Sequence, residues 1–354
     1  MDLDNLDAFR VTDPENFLGH IDALPRQLED AWTMGQSLPL PEEYSAVEQV
    51  VILGMGGSAI GGSLLAAYAA PHSPAGISVQ RGYELPAHIA GPETLVIGSS
   101  FSGNTEETLS AFEQAAGRRV KLLAITTGGR LQALAEQAGA PAWTFEYRSP
   151  PRAAVGYSFG LLLAAACRLG LLPDQSGEVK GAAAALRAQI QSIGAQSPVA
   201  RNPARRLAGQ LMDRYPVIIG ADLLAPVARR WANQINEVAK AWAQWEELPE
   251  ADHNTIVGTL FPENLIGKFM VLFLRADSNP PQNQRRIAIT REIFMFQGFS
   301  TDVVDAAGEG RLAHLLTALH FGDYAAYYLA MAYGVDPTPV PQIDELKARL
   351  EGPE

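Results

Sequence analysis

The sequence predicts an α/β protein of two doubly wound domains, each a mainly parallel sheet flanked by helices, the two related by internal duplication. Three observations carry this. Continuous apolar runs such as VVIL at Val50–Leu53 read as parallel strands buried on both faces, and each is followed by a loop and a helix-length segment. The strand–loop–helix order restarts near residue 215, after a connecting segment. At 354 residues and 47% hydrophobic content, the chain is long enough for two cores of ordinary size. The expected division is 1–175 and 176–354.

Taken in order, residues 13–36 read as one helix, with Thr12 or Asp13 as cap, Pro14 in the first turn and Phe17, Ile21, Leu24, Leu28 and Trp32 on one face. A strand at 50–54 then breaks into the Gly-rich GMGGSAIGG, and a small-residue helix runs to about Ala70. ISVQ is a short strand. Leu95–Gly98 is a second buried strand, ending in SSFSGNT ahead of an amphipathic helix, and KLLAITTGG and PAWTFEYRSPPRAA add two more strand–loop units. A helix near 156–170 and a connecting helix in LPDQSGEVKGAAAALRAQIQSIGAQ lead to the second half. There RYPVIIGAD is a strand, LAPVARRWANQINEVAKAWAQWEE one long helix, KFMVLFLRADSN a buried strand, PPQNQRRIAITREIFMFQG a helix and FSTDVVDAAG a strand. Two further helices follow, HLLTALHFGDYAAYYLAMAYG and, after the Pro-rich DPTPVPQ, a terminal one.

The composition excludes several classes. A net charge of −12 argues against nucleic acid, whose phosphates demand clustered Lys and Arg, so an anionic ligand must be held by local donors. The one cysteine, Cys167, cannot form an intrachain disulfide and sits in LLLAAACRLGLL as a buried thiol more than a nucleophile. The start, MDLDNLDAFR, has no signal-peptide pattern, and Phe159–Leu172, interrupted by Arg168, is too short to span a bilayer. A cytoplasmic enzyme or binding protein with no membrane partner is expected.

Two loops carry the strongest signals. Between Gly54 and Gly62 five glycines let the chain turn sharply and approach a ligand, and a helix starting near Ser58 would point free N–H groups at an anion. Ser100, Ser102 and Thr105 place three hydroxyls at the end of a buried strand, as phosphate ligands or as helix caps. A nucleotide P-loop does not fit, because Gly62 stands where the lysine is required. A dinucleotide fingerprint fits loosely through Gly54, Gly56 and Ala59, but ISVQ ends in Gln80 and Arg81 where an NAD enzyme wants an acid.

The two loops together resemble the sugar isomerase (SIS) domain, and the whole chain resembles the bifunctional phosphoglucose/phosphomannose isomerases, built from two such domains. Further landmarks follow in the family's order: the Pro-Arg pair in SPPRAAVGY, the N-E-x-x-K pattern in INEVAK, the H-N pair in EADHNTIVG and I-x-x-L-K in IDELK. The chain departs at Ala59, usually glycine, and at Phe101, usually tyrosine. Neither change removes a catalytic group.

The resemblance implies an aldose–ketose isomerase that converts glucose or mannose 6-phosphate to fructose 6-phosphate through a cis-enediolate, with no cofactor and no metal. It implies Glu237 as base between C2 and C1, His253 as the ring-opening group, Arg152 as enediolate stabiliser and Lys347 beside the histidine. Gly57, Ser58, Ser100, Ser102 and Thr105 would hold the phosphate, and Thr338 would shape the pocket. On residues alone Glu237 reads as a solvated helix charge, Arg152 as a loop arginine and Lys347 as a surface lysine, while His253 is open between turn and catalyst. The family contributes the histidine from the neighbouring subunit, which implies a homodimer with shared active sites. The alternative is a non-catalytic sugar-phosphate sensor, since SIS modules also occur in regulators, although no basic helix-turn-helix segment is present. An NAD(P)-dependent enzyme on the loose fingerprint is a third reading.

Overall fold

The computed structural model describes residues 2–350 and 352. The chain opens with α1 (Leu6–Thr12), α2 (Phe17–Asp22) and α3 (Leu24–Ser37), where the sequence predicts one helix over 13–36. The break has a local cause. The Asp13 carboxylate turns forward to accept the main-chain N–H groups of Phe17 at 2.7 Å and Leu18 at 3.1 Å, Asn16 takes a left-handed φ of 55°, and Pro25 opens α3.

The first sheet contains β1 (Gln49–Leu53), β2 (Gly76–Gln80), β3 (Thr94–Ser100), β4 (Lys121–Thr126) and β5 (Ala142–Thr144). Its crossovers include α4 (Gly56–Ala69), α5 (Glu106–Ala116) and α6 (Gly129–Gln137). The strand order is β2-β1-β3-β4-β5, every neighbour parallel, with Val50 opposite Ile77 on one side and Leu95 on the other. Three helices then follow, α7 (Val155–Arg168), α8 (Ser176–Ile193) and α9 (Pro203–Leu211). The predicted elements do not include α9, which Asn202 caps by accepting Arg205 N at 3.0 Å and Pro203 begins.

The second sheet, β6 (Tyr215–Ala221), β7 (Gln244–Leu248), β8 (Phe269–Arg275) and β9 (Ser300–Asp305), has the order β7-β6-β8-β9, again all parallel. It repeats the first without its last strand, as the predicted duplication requires. Between its strands lie α10 (Ala225–Val238) and α11 (Pro281–Phe296), and the chain ends with α12 (Arg311–Tyr333) and α13 (Pro341–Leu350). The predicted long helix over 224–247 is therefore a helix and a strand. Lys240 at φ 54° ends the helical path, the Asn236 side chain accepts Ala243 N at 2.8 Å to fold the chain back, and QWEEL pairs with β6.

Alternation along the strands explains their continuous apolar sequence. Val50 and Ile52 of β1 enter a large core shared by both halves, whereas Val51 and Leu53 pack outward with Leu109 and Phe112 of α5. In β8, Met270, Leu272 and Leu274 join the shared core and Val271 and Phe273 pack outward with Phe294 of α11. The shared core also takes α7 and α12, the latter buried along almost its whole length. Cys167, predicted buried, is part-exposed at the end of α7; burial still pushes its thiol up to about 12. Among the described residues no helix is long and apolar enough to cross a membrane.

Candidate active site

In a doubly wound sheet, ligands bind beyond the carboxyl ends of the strands where the strand order reverses. In the first sheet that point lies between β1 and β3, the two strands that feed the Gly-rich and serine loops. The loops are tied together there: Phe101 N donates to Ser58 Oγ at 3.1 Å. Ser58 and Ser100 are buried, and the Ser100 and Thr105 hydroxyls share a hydrogen bond of 2.8 Å. Thr105 occupies the N-cap position of α5, yet its hydroxyl meets Ser100 and does not cap the helix; α4 likewise starts without a side-chain cap. The N-termini of α4 and α5 thus follow two loops that are hydrogen-bonded to each other, with free main-chain N–H groups of the kind that favour anions. Ser102 lies exposed at the rim, where its Oγ accepts Asn104 N at 3.2 Å.

Gly57 brings the next group in. A Cβ at this position would stand 2.9 Å from Pro151 O and 3.1 Å from Arg152 Cα, so only glycine admits the short 3-10 turn Pro151–Ala153. That turn presents Arg152, 5% exposed, to the second half of the chain. Its Nη2 donates to Pro337 O at 2.7 Å and Thr338 O at 2.6 Å, and its Cζ lies 5.2 Å over the Phe17 ring. Its Nη1 stands 3.9 Å from Glu237 Oε2 in the last turn of α10. Arg152 Nε and Thr338 Oγ1 are buried with no hydrogen-bond partner among the described residues. The chain therefore brings Gly57, Ser58, Ser100, Thr105, Arg152, Glu237 and Thr338 together.

It does not bring His253 or Lys347 to them. His253 is exposed, with no side-chain hydrogen bond among the described residues, at the end of the 3-10 turn Glu250–His253, which is anchored by Asp252 bonding Arg286 at 2.8 Å and Thr290 at 2.7 Å. Lys347 lies on α13, exposed along its length. A surface cavity of about 770 Å³ at the ends of β8 and β9 lies away from these groups, and its Arg275 and Asp305 already pair with each other.

A bifunctional phosphoglucose/phosphomannose isomerase of Caldicellulosiruptor bescii is 37% identical over 328 residues, spanning 92% of this chain and 96% of that protein. The chain belongs to the bifunctional phosphoglucose/phosphomannose isomerase family. Another member, from Aquifex aeolicus, is 32% identical across 88% of this chain and 93% of its own length. The family model described as bacterial phospho-glucose isomerase C-terminal SIS domain matches residues 200–350. Among solved structures, tagatose-6-phosphate ketose/aldose isomerase of Escherichia coli superimposes with a TM-score of 0.70 at 17% identity, covering 91% of this chain and 94% of its own, so the fold is shared. Both halves of this family member are SIS units.

Sequence reasoning passed over Lys240, although it is the lysine of the INEVAK motif. Its Nζ donates to Glu237 O at 2.6 Å and Pro337 O at 3.4 Å, clipping the end of α10 to the loop that holds Arg152. Burial, and then the neighbouring Arg152 charge, bring its pKa down to about 8, against the pull of Asp336 and Glu237. Its spacing of one helical turn after Glu237 was the available signal.

Proposed function

We propose that this chain interconverts glucose 6-phosphate and mannose 6-phosphate with fructose 6-phosphate, the reaction named for its relatives, with the residues above in specific roles. The observation that carries the reading is the Arg152–Glu237 approach of 3.9 Å beside a hydroxyl and helix-terminus cradle. The phosphate sits among Gly57 N–H, Ser58, Ser100 and Thr105, with Ser102 at the rim. Glu237 removes the C2 proton of the open-chain sugar and returns it to C1. Arg152, permanently charged and buried, stabilises the negative charge that develops on the enediolate oxygens. Thr338 Oγ1 orients the hydroxyl region near C2 and C3. Glucose and mannose phosphates differ only at C2, which becomes planar in the enediolate, so one carboxylate serves both.

Ring opening needs a proton donor and acceptor near neutral pH, the role of His253. Its exposure within one chain supports delivery to the site of a second copy. Around it the surface is unusually apolar: Val257, Leu260 and Phe261 are exposed, as are Ile289, Ile293 and Phe296 on α11. Helix α13 carries its own exposed stripe, Ile343, Leu346 and Leu350, next to Lys347. We infer a homodimer in which these faces are covered and His253 and Lys347 complete the partner's site. We infer also a cytoplasmic role in glycolysis and gluconeogenesis, where these hexose phosphates interconvert.

The test is direct. Purified protein is incubated with glucose 6-phosphate or mannose 6-phosphate and fructose 6-phosphate is measured, in wild type and in Glu237→Gln. Wild type is expected to turn over both, and the variant to lose about 10³-fold or more, the scale of removing a positioned proton-transfer group. No wild-type turnover, or equal turnover in the variant, overturns the reading; sugar-phosphate binding without turnover would leave a sensor.

A further inference from the structure

Helix α10 reaches Arg152 twice. Arg230 and Glu237 are seven residues apart on it, so they share one face about two turns, roughly 10 Å, apart. Glu237 meets the Arg152 guanidinium, while Arg230 Nη2 donates to the Arg152 main-chain oxygen at 2.8 Å. Arg230 is itself held by Asp323 of α12 in a two-pronged pair, Nε to Oδ1 at 3.0 Å and Nη2 to Oδ2 at 2.8 Å. Both side chains are almost fully buried.

We propose that the Arg230–Asp323 pair is a positioning device that sets the Arg152 main chain, and through it the guanidinium, against Glu237. The proposal rests on the roles of Arg152 and Glu237 given above. The turn that carries Arg152 supplies two hydrogen bonds of its own, Ala153 N to Pro150 O and Ala154 N to Pro151 O, and neither uses the Arg152 carbonyl. Arg230 takes that carbonyl from one side while the Gly57 main chain packs against the turn from another. With the guanidinium on the Pro337 and Thr338 carbonyls, Arg152 is held at both ends. A buried ion pair is a weak source of stability, because desolvation offsets the attraction. What this pair does that an apolar pair would not is aim one N–H of the second half at a carbonyl of the first.

The test separates positioning from simple packing. Arg152→Met, the double variant Arg230→Met/Asp323→Leu, and all three together are assayed for kcat and KM with fructose 6-phosphate and for Tm. The double variant replaces the pair by apolar side chains of similar size and is expected to stay folded. Its kcat is expected to fall about 10- to 100-fold, the cost of misplacing a catalytic group by about 1 Å, with KM little changed because the phosphate cradle is untouched. In the Arg152→Met background the same two changes are expected to cost no further kcat. Arg230→Lys, which keeps the charge beside Asp323 but lacks the fork to serve two partners, gives a second route to the same kcat loss should the double variant fail to fold. Unchanged kcat in the double variant and in Arg230→Lys, or losses that multiply with Arg152→Met, overturn the positioning role while Arg152 remains catalytic. Wild-type kcat in Arg152→Met would instead overturn the reading on which it rests.

Discussion

Adding a single methyl group at Gly57 tests whether the phosphate loop and Arg152 form one unit. The new Cβ would lie 2.9 Å from Pro151 O, 3.1 Å from Arg152 Cα and 3.2 Å from Arg152 N, all main-chain atoms that cannot rotate away. Relief requires the turn to move back by several tenths of an ångström. Overpacking of this kind costs about 1–3 kcal/mol. The helix propensity gained by alanine offsets about 0.5–1 kcal/mol at most, and less in the first turn. A net loss of about 1–2 kcal/mol should lower Tm by roughly 1–3 °C in a chain of this size. The displacement withdraws the Arg152 guanidinium from the substrate, so kcat/KM is expected to fall about 10- to 100-fold. Gly181→Ala on α8 is the matched control: nothing lies within 4 Å of its Cβ. It should stabilise the protein by about 0.5–1 kcal/mol and leave kcat/KM unchanged. The measurements are thermal unfolding and coupled assay of glucose 6-phosphate formation. A Gly57→Ala protein with wild-type Tm and wild-type kcat/KM would refute the reasoning, and a lowered Tm with intact kcat/KM would uncouple the loop from the arginine.

Three other outcomes follow from the same geometry. Refolding equal amounts of Glu237→Gln and His253→Ala together should restore about one quarter of wild-type activity, because half the dimers are mixed and each mixed dimer has one intact shared site; no recovery would place both groups in one chain. Lys240 holds its proton to about 8 in the folded chain and to 10.5 when unfolded, so the unfolded state binds more protons between those values and the stability contribution of this lysine rises with pH across them. Urea unfolding at pH 7.5 and 9.5 should therefore show a gain in wild type that is smaller in Lys240→Met, and an equal gain in both would contradict the assignment. Burial pushes the Cys167 thiol up to about 12 from its usual 9, so its thiolate is about 10³-fold scarcer at pH 8; rapid stoichiometric labelling of native protein by a disulfide reagent would be inconsistent with that setting.

The parts of this protein that depend on local chemistry were legible in its sequence. Val50–Leu53 and Leu95–Gly98 are apolar at every position because each parallel strand is covered on both faces, and the loops that follow them carry glycines and hydroxyls that the buried strands would exclude. The structure departs from these patterns where a distant partner or a local side-chain cap overrides helical spacing. QWEEL continues a helical pattern, and only its pairing with β6 makes it a strand. The 13–36 segment has the spacing of one helix, but the forward reach of Asp13 and the left-handed Asn16 divide it. Lys240 matters through its meeting with Pro337, almost a hundred residues away, which no local pattern shows.

The sequence by itself determined the strand–loop–helix order, the glycine- and hydroxyl-rich loops and the family motifs, because these rest on residues close together in the chain. The tertiary structure decided that the Pro151–Ala153 turn of the first half and α10 of the second would meet, putting Arg152 3.9 Å from Glu237. Such a meeting depends on how the helices of both halves pack into one shared core, and no local pattern encodes that crossing. It also left His253 and Lys347 exposed on the surface of the single chain, away from the Arg152–Glu237 approach.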